Sequence, residues 1–499
     1  MKTRFIISAT VILAIPFLVL GQAIQVKTIP LIMTQQFMLV PSYNAGMAGV
    51  SIGHPDEIAE GFVNPARLGY LSKNLLFVAP YRDSWSQRLI TGRWWQPTRN
   101  VLEGSMVQAV PGGAITHFAL AGGRLQLTTA LALSLEQLRH TSDRVPTWNN
   151  QTGQWNPPMQ MKVMNWPRSA AASLRFPDKG LSVGVGVDWV DIYGVDGIQL
   201  LYPGAREVRQ NGTLRQYRLG AALEKDDGSR YDMLLFHRRY QMDQLAIYSG
   251  GNNLKNKDEE QSWLLQLKGR VPVESHSHIG FELTGHYKWH PKIPDYPAPE
   301  IRIPRDPGIT KAGRLGIGFS TREGKLLIAF DATLEIIDSK TWGDTTAAVT
   351  ADDGTLIPAG EPLFRNDYYF NNSAVRIGLE YTVHERFRLQ GGWSSRLYSL
   401  DYDHEDFVTG EVRGSAPQNW WKEPALSAGM IVKMGNIEWI YHASKRSIAN
   451  EGVSQQMWGA WPPRLIALSY GGDILTPPTD PGFRDVPIVL HRLTLLYWF

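Results

Sequence analysis

The chain has 499 residues, a formal charge of +3 and no cysteine. Disulfides, thiolate zinc sites, iron–sulfur clusters and cysteine nucleophiles are therefore excluded, and nothing in the charge indicates a nucleic-acid partner. Charged residues make up 19% of the chain and aromatic residues 11%, whereas an ordinary soluble domain carries roughly 25% charged residues. The length fits either several soluble domains or one large membrane barrel.

Residues 1–23 have the three parts of a secretory signal peptide. A positive start is followed by an apolar run over residues 5–20 and by the small residues Gly21 and Ala23. We expect cleavage after Ala23. An uncleaved anchor is the alternative, but Pro16 interrupts the run, and a spanning helix needs roughly 20 apolar residues.

Residues 24–74 do not alternate like a barrel wall, because they are rich in small residues and turn formers. Beyond Ala23 no apolar run approaches the ~18 residues of a spanning helix. If the mature chain crosses a membrane it must do so with strands, and strands in lipid satisfy their backbone only in a closed barrel.

Residues 75–499 carry long stretches in which apolar and polar residues alternate. In 124–138 a row of leucines faces one way and polar side chains the other, and 277–290, 325–337 and 374–382 alternate similarly. A soluble sandwich also alternates, but these stretches of 9 to 15 residues reach the ~9 to 11 residues that a tilted spanning strand needs, against about 5 to 6 in globular strands. We predict an all-β, antiparallel transmembrane barrel.

Short turns rich in Gly, Asp and Asn alternate with long polar connections, which is the asymmetry of periplasmic turns and extracellular loops. The seven turns are residues 121–124, 177–180, 225–228, 272–277, 321–324, 383–386 and 434–436, and the long connections include 139–165, 291–309, 339–366 and 401–422. Seven hairpins, with 75–81 and 488–499 added, give sixteen strands. This count treats residues 85–112 as a loop. Residues 464–470 alternate poorly and are counted as part of an outer loop, and fourteen strands is the alternative count.

The chain ends with Leu493, Leu495, Tyr497 and Phe499 on one face of the last predicted strand. We predict that Leu495, Tyr497 and Phe499 form the signal that the barrel assembly machinery recognises; the final strand of a soluble domain is the alternative. Membrane-interface girdles are expected for Trp94, Trp95, Trp420, Trp421, Trp458, Trp461 and Trp498.

A motif before the first strand resembles the N-terminal signature of FadL-type and PorV/PorQ-type outer-membrane barrels. It consists of Gly46, Met47, Gly49, Asp56, Asn64, Pro65, Ala66 and Leu68, and it covers about 30 of the 499 residues. The resemblance implies fourteen strands and a hatch or plug, residues 24–74, folded inside the barrel, with all of these motif residues except Leu68 in a gating role. Residues 29–31 are more similar to the PorV/PorQ side.

A hatch also fits the residue types. Asn64 can cap a short helix with Pro65 in its first turn, and small inward residues such as Ser182, Gly184 and Gly186 would leave room for it. The alternative is that Asn-Pro-Ala merely positions the first strand.

Charged side chains of both signs are expected to line the lumen, mostly as mutual ion pairs. The predicted lumen-lining residues are Glu282, His286, Lys288, Asp331, Glu335, Arg376, Glu380 and Arg388. His286 and His290 lie about 13 Å apart along a strand, too far to share a metal alone. No nucleophile elbow, zinc-protease motif or phosphate loop is found, so we expect no enzyme, cofactor or metal.

The leading hypothesis is an outer-membrane conduit for a hydrophobic small molecule. The alternative is a non-transporting partner of a type IX secretion translocon that carries secreted cargo proteins. Outer-membrane lipid and the barrel assembly machinery are further expected partners.

Overall fold

The computed structural model describes residues 37–93, 96–142, 148–149, 154–155, 159–195, 207–248, 253–290, 308–345, 347–414, 419–447 and 487–499. The predictions for the signal peptide (1–23), residues 24–36, the stretch 464–470 and Trp94, Trp95, Trp458 and Trp461 lie outside the described residues.

Within this part of the chain, sixteen wall positions form one closed antiparallel sheet. They are β1 (Leu75–Val78 and Tyr81–Arg93), β2 (Gln96–Ala109 and Gly112–Leu120), β3 (Leu125–Leu133 and Glu136–Ser142), β4 (Met159–Phe176), β5 (Leu181–Val195), β6 (Glu207–Glu224), β7 (Arg230–Ile247), β8 (Asn253–Glu274), β9 (Ser277–His290), β10 (Gly308–Glu323), β11 (Leu326–Asp344), β12 (Pro362–His384), β13 (Phe387–Asp406), β14 (Asn419–Met434), β15 (Ile437–Arg446) and β16 (Ile488–Trp498). β16 pairs with β15 and with β1, which closes the barrel. The sixteen strands counted from the turns are confirmed, and the fourteen implied by the resemblance are not found.

The remaining elements are short. Between residues 37 and 74, one α-helix, α1 (Glu57–Val63), and two 3-10 helices (Ala45–Met47 and Pro65–Tyr70) precede the wall. Further 3-10 turns at Ala121–Gly123 and Pro177–Lys179 lie within two of the predicted tight turns. Short strands occur at Trp148–Asn149, Gln154–Trp155, Val349–Thr350, Leu356–Ile357 and Glu411–Gly414. No helix in the described ranges has the length and apolar character needed to cross a membrane.

The two faces of the wall differ as the sequence predicts. In β3, Leu131 and Leu133 are 60% and 64% exposed, while the intervening Ala132 is 3% exposed. In β9, Phe281 and Tyr287 point outward and Glu282 is buried on the inner side. An apolar outer band with a polar interior, on a sheet without free edges, is the structure that strands require in lipid. The chain is therefore an outer-membrane β-barrel.

Several predicted loops are in fact wall strands. Residues 85–112 were expected to be a loop, but most of them belong to the paired β1 and β2 strands. Likewise β11 continues to Asp344 and β13 to Asp406, which shortens the connections predicted at 339–366 and 401–422; β3 and β4 shorten 139–165 at both ends. Beyond the lipid band both faces meet water, so alternation fades, yet the ladder hydrogen bonds continue.

Proline interrupts the wall at one level across its first strands. β1 breaks at Pro80 and β2 at Pro111, and a proline supplies no N–H to the ladder. Carbonyl groups still bridge the breaks, because Ala79 N donates to Pro111 O at 2.8 Å and Leu493 N donates to Pro80 O at 3.0 Å. Inward and outward positions keep their phase across both breaks, so the wall stays continuous.

Candidate functional site inside the barrel

Residues 37–74, named here the N-terminal segment, lie against the inner face of the wall. Three cross-strand glycine pairs make this close approach possible: Gly184 with Gly220, Gly280 with Gly318, and Gly378 with Gly392. A Cβ atom on Gly378 would lie 2.7 Å from Met47 Cβ, and one on Gly184 would lie 2.5 Å from Ala66 N. Side chains at these wall positions would therefore displace the segment.

The glycine pairs also show the path of the segment. Met47 and Ala48 contact the pair on β12 and β13, Ile52 and Gly53 the pair on β9 and β10, and residues 64–66 the pair on β5 and β6. The chain thus follows the inner wall backwards through the strand order. All three pairs lie near the short-turn ends of their strands, so the segment occupies that end of the lumen.

Asp331 on β11 binds the segment through its backbone. Its carboxylate accepts hydrogen bonds from Ser51 N at 2.6 Å, from Ile52 N at 3.1 Å and from Gly53 N at 3.1 Å, and its side chain is fully buried. Hydrogen bonds to an ionised acceptor are stronger than those between neutral groups. This contact, named the Asp331 clasp, ties the wall to the loop that precedes α1.

Asp56 organises the loop and the start of α1. Its carboxylate caps the helix by accepting from Ala59 N at 3.4 Å, and it also accepts from Ser42 Oγ at 2.5 Å and Asn44 N at 3.2 Å. Burial raises the pKa of the Asp56 carboxyl above its usual range, although hydrogen bonds from the Ser42 hydroxyl and from the backbone of Asn44 and Tyr43 act in the opposite direction. Asp56 therefore has an evident local structural role as an N-cap.

Gly46 and Gly49 have different local requirements. A Cβ on Gly46 would lie 2.5 Å from Gln390 Oε1 and 2.9 Å from Gly429 Cα, so Gly46 is needed for close approach to the wall. Gly49 has a φ of +69°, in the left-handed region that favours glycine.

Asn64, Pro65 and Ala66 join α1 to the next helix. Asn64 accepts from Ala66 N at 3.2 Å and donates to Ala221 O and Met233 O of the wall, each at 3.3 Å. The predicted Asn cap with proline in the first turn is confirmed, in a 3-10 helix. Beside it Arg67 pairs with Asp232 at 2.5 Å, so this end of the segment is also fixed to β7.

An apolar cluster fills the lumen at the short-turn end. Ile58 and Phe62 of α1 pack with Leu68 and Leu71 against inward side chains of β1 to β4 and β14 to β16. The rings of Phe62 and Phe77 meet edge to face with centroids 6.0 Å apart. On its other side α1 reaches β8, where Lys268 pairs with Glu60. Because β8 lies nearly opposite β1 in a wall of sixteen strands, α1 and the cluster together bridge the lumen.

A cavity of about 600 Å³, named the lumenal cavity, lies between the N-terminal segment and strands β4 to β8. Its apolar lining includes Phe37, Leu39, Phe62 and Val63 from the segment and Leu234, Phe236 and Leu264 from the wall. The volume is in the ~300 to 1,000 Å³ range of small-molecule sites.

The strands that line the lumenal cavity also carry a row of hydrogen-bonded polar side chains. Arg218 pairs with Asp188 at 2.6 Å and donates to Ser169 Oγ at 3.0 Å. Gln216 donates to Asp188 at 3.0 Å and accepts from Arg238 at 2.8 Å. The cavity is therefore amphipathic, because its lining combines apolar side chains with charged, hydrogen-bonded ones.

None of the eight lumen-lining residues predicted from the sequence lines this cavity. Most form contacts within the wall: Glu282 with Arg314 at 3.4 Å, Lys288 with Glu260 at 3.7 Å, Glu335 with Asn372 at 3.2 Å, and Glu380 with Arg322 at 2.9 Å and Arg388 at 3.3 Å. His286 is buried beside Phe236, and Arg376 is the cross-strand neighbour of Asp331. Two members of the set reach the N-terminal segment: Asp331 accepts hydrogen bonds from its backbone, and the Arg388 guanidinium lies 5.9 Å from the centre of the Tyr43 ring.

Sequence reasoning missed Asp188, Arg218 and Arg238. They share the inward phase of their strands with Val190, Leu214 and Phe236, so the inner face here mixes polar with apolar residues and its alternation is weak. The sequence feature that could have identified them is the presence of arginines at inward positions of adjacent predicted strands. Across the described ranges, no group of three or more His, Asp or Glu side chains could hold a metal ion.

The C-terminal residues close the barrel. Phe499 N donates to Asn74 O at 3.1 Å, and the rings of Tyr497 and Phe499 stack on the outer face with centroids 5.9 Å apart. Leu495 is half-buried and pairs with Val78 and Trp439.

No protein-family model matches the chain, and no curated protein matches it in sequence. Solved structures similar to it include the toluene transporter TodX of P. putida, at 10% identity and a TM-score of 0.41 over 93% of this chain and 98% of that one. A FadL homologue of Pseudomonas aeruginosa is 12% identical, with a TM-score of 0.37 over 92% and 99% of the two chains. The Ralstonia pickettii toluene transporter TbuX is 12% identical, with a TM-score of 0.37 over 91% and 97%. FadL-type barrels are thus found among the structures this chain resembles, at a level of similarity that does not identify a substrate.

Proposed function

We propose that this protein is an outer-membrane conduit for a hydrophobic or amphipathic small molecule, in which the N-terminal segment acts as a hatch. The observation that carries the proposal is the lumenal cavity. It is enclosed by a closed barrel, lies directly on the segment, and combines apolar side chains with a few polar groups, which is the composition of a small-molecule site.

The position of the segment supports the hatch role. Its apolar cluster bridges the short-turn end of the lumen, so a ligand in the cavity is separated from that end by α1. The loop before α1 is held on the wall by the Asp331 clasp and by packing of Met47 and Val50 against β11. Such contacts can be broken and re-formed without unfolding the wall.

The test compares two tryptophan substitutions on β6. Leu214 is buried and lines the lumenal cavity, whereas Leu219 is 50% exposed on the lipid face. We expect host cells carrying the protein to take up radiolabelled toluene or a radiolabelled long-chain fatty acid faster than cells without it. Leu214→Trp should reduce this uptake because it fills the cavity, and Leu219→Trp should not.

Equal uptake with and without the protein for both probes would contradict the conduit. The type IX shuttle predicted as the alternative would instead give co-purification with secreted proteins and no effect of Leu214→Trp. Outer-membrane fractionation and heat-modifiable electrophoretic mobility show whether each variant has formed a barrel.

A further inference from the structure

Two arginines on the outer face of the barrel are direct neighbours across a strand pair. Arg215 on β6 is opposite Arg239 on β7, and both side chains are exposed. Like charges directly opposite each other in an antiparallel pair are destabilising. A ligand that carries negative charge would convert this repulsion into attraction.

The carboxylates nearest to these arginines already have other partners. Asp191 on β5 pairs with Arg168 at 2.7 Å. Glu259 on β8 pairs with Lys257, accepts from Gln241 at 2.9 Å, and also interacts electrostatically with Arg239 from beyond ion-pair distance. Among the residues that the structure describes, neither Arg215 nor Arg239 has an ion pair, so the patch carries a local surplus of two positive charges.

The arginines lie at the upper edge of the lipid-facing band. Arg215 is nine residues from the end of β6 at Glu224, and Arg239 is nine residues from the start of β7 at Arg230. At about 3.3 Å per residue and a strand tilt of about 40°, this places both roughly 23 Å above the short turns. The apolar band of such barrels is about 25 Å tall.

The types of the outward residues below and above the arginines also indicate that the arginines lie at the edge of the apolar band. Tyr217 and Leu219 below Arg215 are 51% and 50% exposed, and Trp263 lies in the same region of β8 with 49% exposure. Above them the outward positions Thr213 and Gln241 are polar. The Arg168 guanidinium lies 5.8 Å from the centre of the Trp189 ring, beside Arg215 in the cross-strand register.

We propose that Arg215 and Arg239 form a binding site for the phosphorylated headgroup of an outer-leaflet lipid. Arginine presents planar donors that fit a phosphate oxygen pair, and two guanidinium groups on adjacent strands can hold one phosphate between them. The apolar residues directly below receive the acyl chains. A lipid satisfies both halves of the site, whereas free phosphate would use only the arginines. The site is independent of the lumenal cavity and of transport.

The test uses the delipidated full-length mature protein in detergent, titrated with diphosphoryl lipid A and followed by native mass spectrometry. The variant Arg215→Gln with Arg239→Gln removes both charges. The matched control, Lys422→Gln with Lys445→Gln, removes two outward charges from β14 and β15 on another part of the wall. Circular dichroism and heat-modifiable mobility report whether each variant forms a barrel.

We expect the arginine variant to bind the lipid at least about tenfold more weakly than the wild type, since each basic residue near an anionic lipid surface contributes about 1 kcal/mol. The control should bind like the wild type. Equal binding by the wild type and the arginine variant would overturn the proposal. The proposal would also be overturned if lipid A without its phosphates bound equally well. Displacement of the lipid by millimolar inorganic phosphate would overturn it too, because that result indicates a site for a free anion.

Discussion

The Asp331 clasp gives the most direct test of how the N-terminal segment is held. Asp331→Asn keeps the size of the side chain but replaces one acceptor oxygen with an amide donor, which then faces the backbone N–H groups of Ser51 to Gly53. The carboxylate makes its bonds to these groups at 2.6 to 3.2 Å in a fully buried position, so water cannot take its place.

The expected cost follows from these contacts. A hydrogen bond to a charged group contributes about 1.5 to 3 kcal/mol, and an unsatisfied buried donor costs about 1 to 3 kcal/mol. Because Asn retains one acceptor oxygen, we expect the docked loop to lose about 2 to 3 kcal/mol. At 1.4 kcal/mol per factor of ten, the open population of the loop should rise about 30- to 140-fold.

Hydrogen exchange with mass spectrometry, on the protein in lipid nanodiscs, measures this population at the amides of Ser51, Ile52 and Gly53. Glu335→Gln is the matched control, because Glu335 lies on the same strand and accepts from Asn372 of the wall at 3.2 Å. Unchanged protection of the three amides in Asp331→Asn would refute the clasp. Equal loss of protection in both variants would assign the effect to charge removal on β11.

Three further predictions concern the segment and the end of the chain. Gly392→Val should expose residues 46–49 to protease, because a Cβ atom at position 392 would lie 2.5 Å from Met47 C. Gly391→Val should not, because a Cβ atom at position 391 meets nothing within 4 Å. Equal cleavage of the two variants would contradict the glycine-pair contact. Burial lowers the pKa of His54 from 6.5 to about 4, with Glu380 acting against this and Arg270 and Arg322 with it. The equilibrium constant for docking of the loop should therefore be at its maximum above about pH 6.5 and fall by about tenfold per pH unit towards pH 4. The measurement is the difference in hydrogen exchange between the wild type and His54→Asn, to which Asp56 contributes equally in both proteins. Identical pH profiles of the two proteins would exclude His54 as the cause. If the aromatic ring of Phe499 is the assembly signal, Phe499→Ala and deletion of Phe499 should both reduce the fraction of heat-modifiable barrel in the outer membrane. A defect in the deletion variant alone would instead implicate the hydrogen bond from Phe499 N to Asn74 O.

The strands inside the lipid band were predictable because the face of each strand that contacts lipid must be apolar. Leu131, Leu133, Phe281 and Tyr287 are outward in the structure as the alternation predicts, and the seven short turns separate the strands as expected. Where β1 and β2 extend past this band, lipid no longer selects the outward residues. The pattern is lost there although the strands continue, and for this reason 85–112 was mistaken for a loop.

The site was only partly predictable, since its contacts join residues far apart in the chain. The inward phase of Asp331 can be read from β11, but its partners at residues 51–53 are about 280 positions away. Likewise Gly184 can be recognised as small and inward, whereas its contact with Ala66 depends on the path of the segment. Alternation identifies the face of a residue and leaves its partner undetermined.

Both halves of the N-terminal segment are anchored by buried apolar side chains, and the loop before α1 has hydrogen bonds in addition. Ile58, Phe62 and Leu68 are each at most 3% exposed, and full burial of such side chains is worth about 1.5 to 3 kcal/mol apiece. In the loop, Met47, Val50 and Ile52 are each at most 1% exposed, and the first two pack with Leu327 and Ala329 of β11. The Asp331 clasp adds the hydrogen bonds from residues 51–53. Detaching the loop therefore costs at least as much as moving α1, and we expect amides 51–53 to exchange no earlier than those of α1.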